Sequence, residues 1–180
     1  MVVLDDAVLV QRFLRGDQGA FEALLDRYQK PIFNAALRIT NNSDDAADIT
    51  QVVFIKAYEK LQSYNSKYKF FSWLYRIAIN ESLNYLQGRR QLEQIDDELP
   101  SSDQTPEQSI DREEIQEQIE AALLELSLDY RIAIVLCHLQ GLSYREAGYV
   151  LDVPEKTVKS RLFTARKLMK DILLRKGIMK

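Results

Sequence analysis

The chain has 180 residues, 46% of them hydrophobic, which is enough to build the core of one large domain or of two small ones. No stretch reaches the roughly eighteen consecutive apolar residues of a membrane span, and the N-terminus is too charged for a signal peptide, so we expect a cytoplasmic protein without membrane insertion. Cys137 and His138 are the single cysteine and the single histidine, which excludes an internal disulfide and disfavours a zinc site, so neither a metal nor a cofactor is expected.

The net charge of −3 hides a strong segregation of charge along the chain. Residues 91–129 carry thirteen acidic side chains and one basic one, a local charge of −12, whereas residues 1–90 carry +2 and residues 130–180 carry +7. Within the acidic middle part, residues 93–109 contain two prolines and lack apolar periodicity, which is typical of a flexible linker. Its charge either keeps it extended and soluble or imitates nucleic acid on a basic partner.

Helical periodicity runs through both flanking parts, and nothing alternates with period two for long enough to make a sheet. Asp17 is placed to cap a helix, within which Pro31 predicts a kink or a break. Asn42 or Ser43 begins the next helix, and a polar segment at residues 62–67 interrupts the pattern after it. The predicted fold class is all-α, with two small helical domains joined by the flexible acidic linker.

Six of the seventeen aromatic residues lie between Tyr64 and Tyr75, interleaved with Lys67 and Lys69. This combination suits unpaired nucleic acid. Bases stack on aromatic rings, which contributes about 1–3 kcal/mol of binding free energy per base, and the neighbouring cations neutralise the phosphates. The alternative is a helix that buries its rings, because part of the segment has the spacing of a core stripe. That stripe consists of Phe71, Leu74, Tyr75 and Ala78. The remaining rings, which do not all fit it, are Tyr64, Tyr68, Phe70 and Trp73.

A second nucleic-acid signal follows residue 142. Ser143 and Glu146 form a capping box that begins a short helix, and Pro154 suits the first position of a second helix. One face of the second helix is basic and consists of Lys156, Lys159, Ser160, Phe163, Lys167 and Lys170. This is the helix-turn-helix pattern, whose second helix enters the major groove. The alternative is a solvated lysine face, but Phe163 is out of place in water and suits a thymine methyl group.

The residues do not predict catalysis. The histidine lies in an apolar run, no nucleophile has a plausible base, and consecutive carboxylates on a helix point in different directions. We therefore expect that the protein is not an enzyme.

Four stretches together resemble the extracytoplasmic-function sigma factors of the sigma-70 family, the smallest class of bacterial transcription initiation factor. They are GDQGAFEALLDRYQKPIFNAALRIT, DDAADITQVVFIKAYEKL, FFSWLYRIAINESLNYL and LSYREAGYVLDVPEKTVKSRLFTARKLMK. The resemblance implies a region 2 domain at residues 1–90 that binds polymerase and melts the minus-ten element. It also implies a linker at residues 91–110 and a region 4 domain at residues 111–180 that recognises the minus-thirty-five element.

The resemblance also implies roles for residues of region 2. The segment at residues 62–69 resembles a loop that captures a base flipped out of the non-template strand, and Asn80 matches the asparagine of the family's RIAxN motif near that pocket. The predicted minus-ten contacts are Tyr64, Asn65, Ser66, Lys67, Tyr68, Lys69, Phe70, Trp73, Arg76, Asn80 and Asn84.

A helix of region 2 resembles the family's segment that packs on the clamp helices of the polymerase's largest subunit. Asp48, Gln51 and Ile55 share one face of that helix at i, i+3 and i+7, which makes them the predicted polymerase contacts. Phe54 lies off that face and is available to the core.

In region 4, Lys159, Ser160, Arg161 and Phe163 match the family's recognition positions, and Thr157 and Arg166 are expected to contact phosphates. The predicted minus-thirty-five contacts are Lys156, Thr157, Lys159, Ser160, Arg161, Phe163, Thr164, Arg166 and Lys167. Two residues depart from the pattern. Thr164 stands where close relatives often carry arginine. Glu155 places a negative charge at the start of the second helix, which is favourable to the helix dipole but weakens a phosphate contact at that position.

The implied partners are core RNA polymerase, promoter DNA and an anti-sigma factor, and we expect a monomer when the protein is free. The implied mechanism uses binding energy to unstack a promoter base, and we hypothesise that the acidic linker repels DNA until polymerase sequesters it. Two alternatives stay open. A stand-alone helix-turn-helix regulator would leave the aromatic cluster and the linker unexplained, and a helical adaptor that binds only protein would tolerate charge reversal at Lys159 and Arg161.

Overall fold

The computed structural model describes residues 4–93 and 112–178, which form eight α-helices and no strand. The all-α prediction is confirmed over these ranges. The same residues contain no helix long and apolar enough to cross a membrane. The helices are α1 (Asp6–Leu14), α2 (Gln18–Thr40), α3 (Ser43–Lys60), α4 (Phe70–Glu93), α5 (Arg112–Leu124), α6 (Leu128–Ile134), α7 (Tyr144–Leu151) and α8 (Glu155–Arg175).

Helices α1 to α4 form the N-terminal unit around a shared apolar core. Its fully buried side chains include Leu24 and Ile32 of α2, Val53 of α3 and Leu74 of α4. Asn42 caps α3, because its side-chain oxygen accepts a hydrogen bond from the Asp45 backbone N–H at 2.9 Å. A short 3₁₀ turn at Leu61–Ser63 ends α3 and leads into the polar segment, as the sequence predicts.

One local expectation for α2 is narrowed and another requires correction. The helix passes through Pro31 without a break, so of the two predicted outcomes only a kink remains. Leu24 before the proline and Ile32 after it are both buried, so packing on each side holds the helix together although Pro31 donates no backbone hydrogen bond. Asp17 occupies the N-cap position, but its carboxylate accepts from Arg12 Nε at 2.7 Å instead of capping the helix.

The aromatic helix α4 continues to Glu93. Gly88 does not stop it, since an isolated glycine within a helical pattern is tolerated. Residues 94–110 of the predicted linker lie outside the described residues, so the boundaries at 90 and 111 and the role of the acidic charge remain predictions.

Helices α5 to α8 form the C-terminal unit, and α7 with α8 is a helix-turn-helix. The predicted capping box is present, with Ser143 N–H donating to Glu146 at 2.8 Å. Asp152 ends α7 in the left-handed region at φ 57°. The turn requires glycine at position 148, because a Cβ there would lie 2.8 Å from the carbonyl oxygen of Val153. A π-helical turn at Val135–Leu139 continues α6.

The two units pack directly against each other. The Arg38 guanidinium of α2 binds the Glu120 carboxylate of α5 through two nitrogens, the shorter contact being 2.6 Å. Tyr75 of α4 is buried, and its hydroxyl donates to Gln140 Oε1 at 2.6 Å. Burial raises the pKa of Tyr75 above its usual value, so the hydroxyl remains a donor. The main contact between the units joins α4 to α7.

Candidate nucleic-acid and polymerase interfaces

The segment between α3 and α4 is a turn held by its own hydrogen bonds. The Asn65 side chain accepts from the Lys67 backbone N–H at 2.9 Å, and the Asn65 carbonyl accepts from Tyr68 N–H at 3.1 Å. The Tyr64 hydroxyl donates to the Tyr68 carbonyl. These bonds leave the polar tip exposed, including Asn65, Ser66 and Lys67.

One predicted DNA-stacking ring belongs to the core instead. Phe70 is only 2% exposed, and its ring centroid lies 5.7–5.9 Å from those of Tyr28, Tyr64 and Trp73. As the first residue of α4 it points toward α2, so no base can reach its face, and its assignment as a minus-ten contact is corrected. Tyr64 and Trp73 are half-buried in the same cluster.

A cavity of 590 Å³ lies between this turn and the start of α1. Its polar wall contains Asp6, which accepts hydrogen bonds from both Arg27 and Tyr28. Burial, with the Asp6 hydrogen bond, raises the pKa of Tyr28. The turn contributes Lys67 and Tyr68 to the opposite wall. The arrangement combines polar edges with an aromatic wall, as capture of an unstacked base requires.

Asn80 is not part of this cavity. It lies ten residues into α4, about 15 Å along the axis at 1.5 Å per residue, so the structure does not place it behind the loop. It lies instead on a stripe with spacing i, i+4, i+7, i+11 and i+15, which faces one side of the helix. The stripe, which we call the α4 stripe, consists of Lys69, Trp73, Arg76, Asn80 and Asn84.

The start of the α4 stripe is covered by α7. The rings of Tyr68 and Tyr149 stack at 3.8 Å between centroids and 14° between planes. Arg76 donates to the Tyr149 carbonyl at 2.7 Å and lies 3.4 Å from the Asp152 carboxylate. Sequence reasoning missed Tyr149 and Asp152, because nothing in a single sequence pairs residues so far apart in the chain.

A further ion pair joins the same surfaces. Lys69 Nζ lies 2.9 Å from Glu146 Oε1. Hydrogen bonds from Ser143 and Lys69 lower the pKa of the Glu146 carboxyl although partial burial opposes them, so it is charged at neutral pH. Glu146 was predicted only as a capping residue, and the structure gives it both roles.

The predicted polymerase face lies on α3. Asp48, Gln51 and Ile55 are all exposed, Ile55 by 58%, whereas Phe54 is 7% exposed and belongs to the core, as its position off this face predicts. An apolar groove of 640 Å³ runs beside them between α2 and α3. It is lined by Phe21, Leu25, Gln29, Thr50, Gln51, Phe54, Ile55, Tyr58 and Glu59.

Helix α8 exposes its basic face and buries the opposite one. Val158, Leu162, Ala165 and Ile172 are buried. Phe163 is 74% exposed, the largest fraction among the large apolar residues that the structure describes as exposed. Around it the exposed side chains are Lys156, Lys159, Ser160, Lys167 and Lys170. A ring this open to water beside cations suits contact with a base edge or sugar.

Several cations of α8 already have partners. Lys159 pairs with Glu155 at 2.9 Å and Arg161 with Asp129 at 3.0 Å. Arg166 donates from Nε to His138 Nε2 at 2.9 Å and from a terminal nitrogen to the Tyr144 hydroxyl. Thr157 and Thr164 are half-buried. If the helix binds DNA, Lys159, Arg161 and Arg166 must exchange these protein partners for phosphates.

The single histidine and cysteine do not form a metal site with other residues. Within residues 4–93 and 112–178, no three His, Cys, Asp or Glu side chains are grouped closely enough to hold a metal ion. Burial raises the pKa of the Cys137 thiol to about 11. Burial and the neighbouring Arg166 lower the pKa of His138, so its Nε2 accepts a hydrogen bond as a neutral imidazole.

Comparison with known proteins matches both units to families. Residues 24–91 match the family Sigma-70 region 2, and residues 116–169 match Sigma-70, region 4. The chain is 39% identical to the ECF RNA polymerase sigma-E factor of Escherichia coli (strain K12), covering 91% of each, and 36% identical to the RNA polymerase sigma-H factor of Pseudomonas aeruginosa, covering 89% of this chain and 90% of that protein.

Solved structures show the same architecture. The sigma factor RpoE in complex with the anti-sigma factor NepR from Bartonella quintana has a TM-score of 0.74 at 28% identity, over 85% of this chain and 96% of that one. CnrH in complex with the cytosolic domain of CnrY has a TM-score of 0.70 at 25% identity, over 93% and 96%.

Proposed function

The chain belongs to the extracytoplasmic-function sigma factors of the sigma-70 family, and we propose that it directs core RNA polymerase to specific promoters and initiates melting by capturing a flipped non-template base. One observation carries the proposal. A single chain presents two different DNA-suited surfaces, the exposed basic face of α8 around Phe163 and the α4 stripe beside an aromatic turn. The proposed domains are residues 1–90 and 111–180, joined by the linker at 91–110.

Melting is assigned to the N-terminal unit. A base that leaves the stack enters the cavity beside the turn, where Tyr68 supplies a stacking face and Lys67 a nearby cation. The next nucleotides follow the α4 stripe, where Arg76 neutralises phosphate and the exposed amides of Asn80 and Asn84 can donate and accept. Asn80 therefore acts along the strand, at a distance from the captured base.

Recognition of the minus-thirty-five element is assigned to α8. Ser160 and Phe163 contact base edges in the major groove, and Lys156 and Lys167 bind phosphates. Lys159 and Arg161 join them by exchanging Glu155 and Asp129 for DNA oxygens. Because both pairs are exposed, each contributes little by itself and exchange is inexpensive.

Protein partners use the remaining exposed surfaces. Core polymerase packs against Asp48, Gln51 and Ile55 and fills the adjoining apolar groove. The likeness to a sigma factor solved with an anti-sigma factor supports the proposal that such an inhibitor also binds this chain. The protein acts in the cytoplasm, where polymerase and promoters are, is a monomer when free, and acts by binding without catalysing a reaction.

Transcription in vitro with core polymerase on a genomic promoter library tests the proposal. A defined subset of promoters should start transcription only when the protein is present, and these should share two sequence elements. Reversing the charge of Lys159 and Arg161 should abolish that selection while leaving polymerase binding intact. Promoter-independent transcription, or tight binding of duplex promoters without polymerase, would contradict the proposal and favour a stand-alone regulator.

A further inference from the structure

Helix α7 presents to the N-terminal unit a face that has the chemistry of single-stranded DNA. Its Tyr149 ring is nearly parallel to Tyr68 at 3.8 Å, closer than the roughly 4.5–7 Å usual for ring pairs in proteins and similar to the way a base stacks on an aromatic platform. The carboxylates of Glu146 and Asp152 flank it, and each binds a cation of the α4 stripe. One ring and two anions thus stand where one base and two phosphates would.

The cations are matched individually. Lys69 binds Glu146 at 2.9 Å. Arg76 reaches Asp152 at 3.4 Å, donates to the Tyr149 carbonyl and lies 5.1 Å from the centre of the Tyr149 ring, which adds a cation–π contact. The side of α7 that binds these groups is separate from the side that contacts α8, where Tyr144 lies near Lys159 and Arg166.

This arrangement is incompatible with promoter binding by both units. Elements centred near −10 and −35 are about 25 base pairs apart, or about 85 Å at 3.4 Å per pair. Tyr68 and Tyr149 are in contact, and a folded chain of this length has a radius of gyration of only about 16 Å. The contact must therefore break before both elements are bound.

The contact masks some surfaces and leaves others accessible. Ile55 and the apolar groove of the polymerase face remain exposed, and so does Phe163 on α8. Tyr68, Lys69 and Arg76 are engaged. A protein in this state can dock on polymerase but cannot bind an unpaired strand at the start of the α4 stripe.

We infer that the Glu146, Tyr149 and Asp152 face of α7, here called the α7 latch, is an intramolecular mimic of single-stranded DNA that covers one face of the Tyr68 ring and engages Lys69 and Arg76 in the free protein. The inference rests on the proposed function, since it assigns a regulator to the same site. Polymerase, by holding the two units apart, releases the latch and uncovers the site. Strand binding by the free protein is weakened in proportion to the fraction that is closed.

A variant can remove the mimicry without disturbing α7. Glu146→Gln keeps the capping box, and Asp152→Asn keeps a residue that tolerates the left-handed region, so only charge is lost. Combined with Tyr149→Ala they form the latch variant. Tyr144→Ala is the matched control for the distance between the units. It removes another half-buried tyrosine of α7, and this tyrosine contacts Lys159 and Arg166 within the C-terminal unit. Circular dichroism confirms that each variant is folded.

Distances between the units are measured by fluorescence energy transfer in the full chain. Dyes are placed at Gln11→Cys and Asp171→Cys, both exposed positions, with Cys137→Ser removing the native thiol. The parent and Tyr144→Ala should show one short distance, and the latch variant should shift to longer distances. Adding core polymerase should lengthen the parent's distance. Equal distances in the parent and the latch variant, short or long, would overturn the inference.

Strand binding gives the second measurement. The probe is a fluorescein-labelled single strand that carries the non-template minus-ten sequence of a promoter found by the transcription assay. The latch variant without polymerase should bind it about tenfold more tightly than the parent, a factor equivalent to one stack of about 1.4 kcal/mol. Equal affinities would overturn the inference even if transcription succeeds. If transcription fails but the latch variant still shows the longer distance between the units, the proposed function is rejected and the closed contact is established.

Discussion

Replacing Phe163 by alanine separates DNA recognition from folding more cleanly than any other change in α8. The side chain is 74% exposed, so truncation removes almost no buried area, and the free energy of unfolding should change by less than about 0.5 kcal/mol. A base-edge contact contributes about 1–3 kcal/mol of discrimination, which corresponds to about 5- to 150-fold. Selectivity at the minus-thirty-five element should therefore fall by a factor in that range while thermal stability stays the same.

The assay compares holoenzyme transcription from a selected promoter and from the same promoter with each minus-thirty-five position substituted. Phe163→Ala should compress the differences among these templates. Lys167→Ala is the matched control, since its exposed cation lies on the same face and should bind phosphate, so all templates should weaken alike and the salt dependence should flatten. If both variants lose selectivity equally, the roles of Phe163 and Lys167 are misassigned. If Phe163→Ala lowers the melting temperature markedly, the ring is structural.

Three other changes test the remaining surfaces. Asp48→Lys with Gln51→Ala should weaken binding to core polymerase by about tenfold, equivalent to about 1.4 kcal/mol, as measured by fluorescence anisotropy. A cooperative loss of helical signal would instead place these residues in the core. Gly148→Ala should destabilise the helix-turn-helix by about 1–3 kcal/mol in urea unfolding, because its Cβ would meet the Val153 carbonyl, and an unchanged midpoint would show that the turn adapts. Glycines at residues 63–66 should slow opening of duplex promoters and recover most activity on a template mismatched at the minus-ten element, and an equal defect on both templates would assign the turn to docking or folding.

Features that depend on local chemistry were predicted correctly from the sequence. The capping box at Ser143, the start of α3 at Asn42 and the exposed face around Phe163 each follow from side chains within one or two turns of each other. Periodicity likewise separated Phe54 from the exposed face of α3.

Errors arose where packing outweighed a local rule. Phe70, a predicted DNA contact, is buried against Tyr28 of another helix. The helical rise places Asn80 about 15 Å along the axis from Phe70. The order of residues in a sequence motif does not by itself show this distance. The contact between Tyr149 and Tyr68 is harder still to predict from the sequence, because Tyr68 lies more than eighty positions earlier in the chain.

The placement of the masked and exposed surfaces suggests an order of events. In the closed arrangement Ile55 and its groove are accessible, whereas an unpaired strand cannot stack on the face of Tyr68 that Tyr149 covers. The ion pairs of the α7 latch are exposed on at least one side and are screened by salt, so the latch is weak enough for a large protein interface to open it. Docking would then come first and strand capture second. If the inference holds, the free protein would not occupy DNA before it has bound polymerase, and the acidic linker predicted between the units would act in the same direction.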